Sequence, residues 1–462
     1  MARSKPKASR TAVPVPAFPP PLAAANLHAA GIDIGADAHV VAVPPSDDPQ
    51  PVRGFGAYPA DLNAIADWLA TCGITTVALE STGVSWIPLF ALLETRGFAV
   101  LLVDPQQVQK IKGRPQSDVH DCQWIQRLHT FGLLASAFRP TDQVCVLRRD
   151  LRQRAMLLTS AAQHIQHMPK ALTQMNRKLQ HVISDMTGVT GLAILRASLG
   201  GERDPEKLAP LRDDRGKYDE ATIARALQGN GRDEHLCAVA QAVALSDVYH
   251  QKIIACDRHI EAYLQTFADR SEGQPLPPPP RPRKRGGNQP AFAVRGPLHR
   301  ITGVDLTQIA GLDETTSLVI LSEMGLDMQR WPTVKHFTSW LGLCPHHRVS
   351  GGKVLSRRTK PCANRAATAL RLAAACRHHS QSALGAFFRR MKARMGAPKA
   401  ITATAHTLAR LLYTMLKHGT AYVRQGMDEY AQQSRDRMVK TMTRRAKALG
   451  YTLVKAPEGN LA

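Results

Sequence analysis

No cysteine in this chain is followed three positions later by another, and the eight that occur are scattered. That scatter favours a reduced chain of cytosolic type over a disulfide scaffold. Long apolar runs are missing too. The most apolar stretch, Trp86 to Val103, is broken by Glu94, Arg96 and Gly97, which excludes a spanning helix there. The first residues, Met1 to Pro21, are basic and proline-rich and lack the apolar core of a signal peptide. No fixed-period repeat runs through the chain. Acids are scarce: 37 Asp+Glu stand against 60 Lys+Arg, a net charge of +23 with a pI near 10.0. With no membrane span, such a surplus implies a polyanionic partner of nucleic-acid type. At 462 residues the chain exceeds one ordinary core, and two or three domains are expected.

Residues 1–26 read as a disordered basic tail, with Arg3, Lys5, Lys7 and Arg10 and no acid among them. Over 27–138 strand and helix patterns alternate. Strands are expected at Gly31–Val43, Thr75–Leu79 and Phe98–Val103, with helices at Asp61–Thr71, Ser85–Arg96 and Asp118–Leu128, an α/β arrangement. Over 139–270 the apolar period becomes a heptad. One seam runs through Leu158, Ala161, Ile165, Met168, Leu172, Met175, Leu179 and Val182, with a kink or helix start expected at Pro169. A second seam holds Leu245, Tyr249, Ile253, Cys256, Ile260, Tyr263 and Phe267. The two seams suit antiparallel arms or pairing with another protomer. The first helix also bears Arg148, Arg149, Arg152, Arg154, Lys170, Arg177 and Lys178, as phosphate contacts or as a solvated face. Residues 271–296, with Pro277 to Pro280 and Arg283-Lys284-Arg285, read as a basic, proline-rich hinge. A helical domain is expected over 297–425 and a basic tail over 426–462. Within the former, Ile309-Ala310-Gly311-Leu312 and the following helix resemble half of a helix-hairpin-helix, with Asp313 where that motif prefers glycine.

Two groups of residues carry chemistry. Asp118 and Asp121 fall on one helix face, where like charges repel unless a divalent cation lies between them. Asp33 and Glu80 each end an apolar, strand-like run. Four acids on rigid elements supply the hard oxygens that Mg2+ prefers, and metal-assisted phosphodiester transfer needs such a site. Asp37 rivals Asp33 for the first position, and first-turn acids are also favoured by the helix macrodipole alone. The second group is Ser350 before Gly351-Gly352, with Lys353, Arg357, Arg358 and Lys360 nearby. Glycines permit close backbone approach to a phosphate, and the cations stabilise charge on a phosphoryl group attacked by a hydroxyl. Ser-Gly-Gly is also an ordinary turn, and Ser356 is the local alternative nucleophile. Cys344, His346, His347 and Cys362 have zinc-ligand chemistry in a spacing unlike a zinc finger, and read better as core or nucleic-acid-facing groups.

Gly31-Ile32-Asp33, Leu79-Glu80-Ser81-Thr82-Gly83 and Ser117-Asp118-Val119-His120-Asp121 resemble the N-terminal RuvC-like (ribonuclease H-like) domain of the insertion-sequence one-ten family of transposases. Ile309 through Gly325, Phe337 through Pro345, and Val349-Ser350-Gly351-Gly352 resemble that family's C-terminal domain. The resemblance implies a RuvC-like DEDD domain, helical coiled-coil arms and a mostly α C-terminal transposase domain. It implies a serine recombinase that moves an element between donor and target DNA under a structured bridge RNA. Carried over, Asp33, Glu80, Asp118 and Asp121 bind Mg2+ and Ser350 is the nucleophile. Lys353, Arg357, Arg358, Lys360, Arg177 and Lys178 are then candidate nucleic-acid contacts. A homo-oligomer, dimer to tetramer, in the cytoplasm and on the nucleoid of a prokaryotic cell is expected. Rival readings are a Holliday-junction-type nuclease acting through water, an actin-like phosphotransferase and a non-catalytic nucleic-acid scaffold.

Overall fold

The computed structural model describes residues 23–81, 83–105, 117–280, 286–419, 432, 436 and 439–454. Most of the two expected basic tails lies outside them, as do Lys455, Thr82 and the basic triplet Arg283 to Arg285. The chain divides into two compact units between Arg139 and Pro140.

The first unit is a five-stranded mixed sheet in the order β3-β2-β1-β4-β5. The strands are β1 Ala29–Ile34, β2 Ala38–Ala42, β3 Val52–Gly56, β4 Thr76–Glu80 and β5 Ala99–Val103. β1, β2 and β3 form an antiparallel meander, and β1, β4 and β5 run parallel. The run expected as one strand over Gly31–Val43 is therefore a hairpin. Gly35 donates its N–H to the Ala38 carbonyl and turns the chain. β3 went unanticipated because Val-Arg-Gly-Phe-Gly lacks clean alternation and sits half-buried at the sheet edge.

Each face of this sheet is covered by its own helices, as strand period dictates. Ala30, Ile32, Ile34, Val77 and Leu79 join a core with α1 (Pro59–Thr71) and α2 (Trp86–Thr95). Ala78 and Val103 instead meet Ile125 of α3 (Asp118–Thr130). α3 presses hard against β1 at one residue. A Cβ added at Gly31 would stand 2.2 Å from the backbone nitrogen of Gln126 and 2.5 Å from the Cys122 carbonyl oxygen. Backbone on both sides leaves nothing to rotate away. Gly31→Ala is accordingly expected to cost the first unit about 3 kcal/mol or more, measured by denaturant unfolding. Stability within about 0.5 kcal/mol of the parent would contradict this account of the packing.

Among the described residues, the second unit is helical apart from one short hairpin. Two long helices, α4 (Asp142–Gln174) and α8 (Asp233–Leu264), run antiparallel. Tyr263 hydroxyl donates to the Gln143 carbonyl near one end, while His164 stacks on Tyr249 farther along. The helix does not restart at Pro169 but runs through it. Buried Met168, Ala171 and Leu172 offset the lost backbone hydrogen bond. Both buried seams depart from the expected residues. Leu179 and Val182 lie beyond the helix end, in or after a single 3-10 turn, and Leu245 is exposed while Ser246 takes the buried position. Between the long helices, α5 (Val189–Leu199), α6 (Pro205–Leu208) and α7 (Glu220–Leu227) close a satellite core around Leu179, Ile194, Leu208 and Ile223.

Several expected phosphate contacts on α4 are spent on structure. Arg148 donates to the Ser322 and Glu323 carbonyls, and Arg152 pairs with the Glu323 carboxylate through two bonds of 2.9 and 2.7 Å. Arg154 is buried against Asp257, and also donates to the Asn288 carbonyl at 3.1 Å. Removing one member of a buried pair strands the other charge. Asp257→Ala is expected to destabilise the second unit by about 3–5 kcal/mol, whereas cutting the exposed Arg196–Asp247 pair costs under about 1 kcal/mol. Equal losses in chemical denaturation would contradict the burial argument.

The linker, expected as a hinge, is tied down on both sides of 281–285. Arg295 donates to the Pro277 carbonyl, Gln308 to the Pro278 carbonyl, and Ala291 N–H to Asp257. Beyond it come α9 (Arg295–Thr302), α10 (Glu314–Met324), α11 (Val334–Trp340), α12 (Arg365–Ala375), α13 (Ala383–Met395) and α14 (Ala397–His418). Asp313, out of place for a phosphate-gripping glycine, accepts from Thr316 N–H at 2.7 Å and caps α10. Ser317 through Leu318 and Ile320 through Met324 are buried, so α10 is a core helix. No described helix is long and apolar enough to cross a membrane.

Candidate active site

Parallel register sets the first two acids side by side. Ile32 of β1 pairs with Leu79 of β4, so Asp33 and Glu80 follow at neighbouring positions on the same sheet face. They stand at the carboxyl ends of parallel strands, where open α/β sheets place their ligands. The helix supplies the other two. Ser117 adopts extended backbone and its Oγ accepts from the His120 N–H at 3.3 Å, starting α3 at Asp118. Asp118 and Asp121 then share its first turn, where the macrodipole favours them. Since α3 rides on Gly31, two residues before Asp33 on one face, its acids are carried to the strand acids.

The electrostatics express this convergence. Burial first, then Glu80, Asp118 and Asp121, push the Asp33 carboxyl up from 3.8 to about 6, partly opposed by a backbone hydrogen bond at Ile34. The four acids named from sequence are thus one electrostatic group. Asp37, the rival, is exposed in the β1–β2 turn and is not among the charges that raise Asp33. Beneath the acids, Cys122 is buried and its thiol is pushed up to about 12, chiefly by burial, so it is a neutral packed group and not a nucleophile.

Ser350 lies in the second unit, on an antiparallel hairpin of β6 (Arg348–Ser350) and β7 (Lys353–Ser356). Gly351 and Gly352 have φ of 54° and 76°, the paired positive values of a two-residue hairpin turn. Ser350 is exposed beside that turn, opposite Lys353 in register. Lys353, Arg357, Arg358 and Lys360 are exposed as well. Ser356, the local alternative, accepts from the Arg358 N–H at 3.2 Å and is half-buried. Cys344 spends its Sγ on Thr338 Oγ1, while His346 and His347 are exposed, and nothing in this geometry makes a zinc centre.

Two segments match known families. A DEDD-type transposase model of the IS110 group covers residues 30–177, and the model described as transposase IS116/IS110/IS902 family covers residues 305–389. The chain belongs to the IS116/IS110/IS902 family of transposases. No curated protein matches it. All four acids fall within the first matched segment and Ser350 within the second. The transposase is thereby a DNA-cutting and rejoining enzyme, with DNA as its substrate. Its mixed sheet with a helical C-terminal part is compatible with a RuvC-like DEDD domain.

DEDD-type domains of this kind usually use divalent metals. The donor set here is all carboxylate oxygen, which suits a hard cation, and the raised Asp33 carboxyl reports negative charge that such a cation would relieve. As placed, no three described His, Cys, Asp or Glu side chains stand close enough together to hold one ion. Gly31 is the site residue that sequence pattern did not single out for its role. Its position two before Asp33 was the available signal, because α3 approaches the strand at that point.

Proposed function

We propose that this transposase transfers DNA strands using two sets of residues, the acids Asp33, Glu80, Asp118 and Asp121 and the hydroxyl of Ser350. The observation that carries this reading is the shared electrostatic field of four acids at the ends of β1, β4 and α3. Asp33 and Glu80 from the sheet, with Asp118 and Asp121 from the helix, would hold Mg2+. When bound, that ion supplies charge stabilisation at the scissile phosphate and activation of the attacking oxygen. The chain's own part is to fix the acids on rigid elements and to keep Asp33 half-buried among the other three, where a cation would relieve the repulsion on its ionised form.

Ser350 Oγ forms a bond to phosphorus, one DNA P–O bond breaks, the hydroxyl proton is lost and the leaving DNA oxygen gains a proton. Lys353, Arg357, Arg358 and Lys360 hold the phosphate and offset its charge. Exposure at a hairpin tip suits a nucleophile whose target is a separate macromolecule. A structured guide RNA and assembly of two to four copies complete the reading. The test is reaction of the transposase with DNA bearing an element end, followed by peptide mapping of any covalently retained nucleotide. DNA on the peptide containing Ser350 supports the reading. Magnesium-dependent cleavage without any adduct would favour hydrolysis by water instead.

A further inference from the structure

Two arginines are buried among the described residues, and they are treated differently. Arg154 has a carboxylate and a backbone carbonyl. Arg177 is 2 % exposed, yet its Nε has no hydrogen-bond partner among the described residues. The charge that acts on it is another cation: burial first, then Arg203, pull the Arg177 guanidinium below its ordinary range. Arginine does not lose its proton in proteins, so Arg177 keeps its positive charge here, while Arg203 lies in the field of the Glu202 carboxylate. An unpaired buried ion costs several kcal/mol, and folds keep one only where something offsets it.

The local chain gathers a loop and a second arginine around that charge. After α4, Asn176 takes a left-handed φ of 56°, and Arg177 N–H returns to the Leu172 carbonyl, a Schellman ending that turns Arg177 inward. Arg177 therefore leaves the exposed helix face on which a phosphate contact was expected. The Gly229-Asn230-Gly231 loop lies beside it, tied by Asn230 N–H to the Met175 carbonyl. A Cβ at Gly231 would stand 3.2 Å from Arg203 Nε and 3.9 Å from Arg177 Nη2. Gly231 and Arg203 are exposed, so the buried Arg177 guanidinium lies directly behind surface residues. Arg203 donates from Nη1 to the Ser198 carbonyl, which holds its plane in place.

We infer that Arg177 and Arg203, beside the Gly229–Gly231 loop, form a binding site for a backbone phosphate of nucleic acid, made of residues other than the acids and Ser350. Two guanidinium forks meeting at a glycine loop suit the tetrahedral oxygens of a phosphate, which offsets the Arg177 charge that no carboxylate meets and takes N–H bonds from both. The site goes beyond the strand-transfer proposal and draws from the family only its use of nucleic acid. It would grip substrate or guide without taking part in the chemistry.

The experiment measures binding of single-stranded DNA, duplex DNA and RNA in chelator, where strand chemistry is off and its failure has no bearing. Arg177→Met and Arg203→Ala are compared with the parent over a range of salt. Expected is a loss of about tenfold or more for at least one of the nucleic acids, as for a charge-assisted hydrogen bond. Its salt slope should fall by roughly 0.7 to 0.9 for each phosphate lost. Loss confined to RNA assigns the site to a guide, and loss with DNA assigns it to the substrate; either supports the proposal. In parallel, inorganic phosphate should raise the parent's melting temperature above that in potassium chloride of equal ionic strength, and should not do so for Arg177→Met. Arg203 is exposed, so its variant keeps the test valid if Arg177→Met fails to fold. Parental affinity and slope in Arg203→Ala for all three nucleic acids overturn the proposal, even where phosphate stabilises the parent.

Discussion

Ser350→Ala is expected to abolish the covalent protein–DNA adduct and to lower recombination by about 10⁴-fold or more, the scale on which loss of a nucleophile acts. The substitution removes one exposed oxygen from a hairpin whose turn is set by Gly351 and Gly352, so fold and DNA affinity should stay near those of the parent. Ser356→Ala is the matched control. Its oxygen accepts a backbone hydrogen bond within the loop, and its loss should cost less than about 1.5 kcal/mol of stability with the adduct intact. A persistent adduct in Ser350→Ala removes this residue from the chemistry. Loss of the adduct in Ser356→Ala with retention in Ser350→Ala transfers the role to the neighbour.

Asp33→Asn is expected to lower strand transfer by about 10³-fold, which is what several kcal/mol of metal-supplied stabilisation amounts to. It should do so while stabilising the first unit at neutral pH in chelator. The Asp33 carboxyl is raised from 3.8 to about 6, so the folded state binds its proton more tightly than the unfolded state. The contribution from this group is therefore complete below about pH 3.8 and is lost as pH rises through about 6. At pH 7 to 8 the ionised acid sits half-buried among three others, and the amide relieves that repulsion. Added Mg2+ should raise the melting temperature of the parent at pH 7 to 8, hardly at all near pH 4, and much less in Asp33→Asn. Thermal scans across pH, with Mg2+ and with chelator, measure all of this. A parent insensitive to Mg2+ at every pH, together with undiminished recombination by Asp33→Asn, would take the acids out of the mechanism.

Much of the candidate site was legible from residue type and spacing. Asp118 and Asp121 announce themselves by a three-residue step after a capping serine, and Asp33 and Glu80 by ending apolar runs. Local rules govern such features, because caps and strand ends depend on neighbours in sequence. The choice between Asp33 and Asp37 was not legible. It turns on where β1 stops, and the Gly35–Ala38 turn that ends it was hidden inside one continuous apolar pattern. Likewise the basic stripe on α4 looked uniform. Arg152 in fact meets Glu323, Arg154 meets Asp257, and Arg177 is turned inward past the helix end.

Composition and pattern alone determined the broad class: a strongly basic chain with an α/β front, long helices behind it and acids suited to phosphodiester work. Those traits rest on charge totals and on short-range periodicity, which survive without knowledge of what touches what. Only the tertiary structure decided which charges are at work on the surface and which are locked in pairs. It also decided that Gly31 is where a helix may touch a strand, and that one buried arginine has another arginine for its neighbour. Pairing between residues more than a hundred positions apart leaves no local trace, since either partner reads as an ordinary polar side chain until the fold brings the other to it.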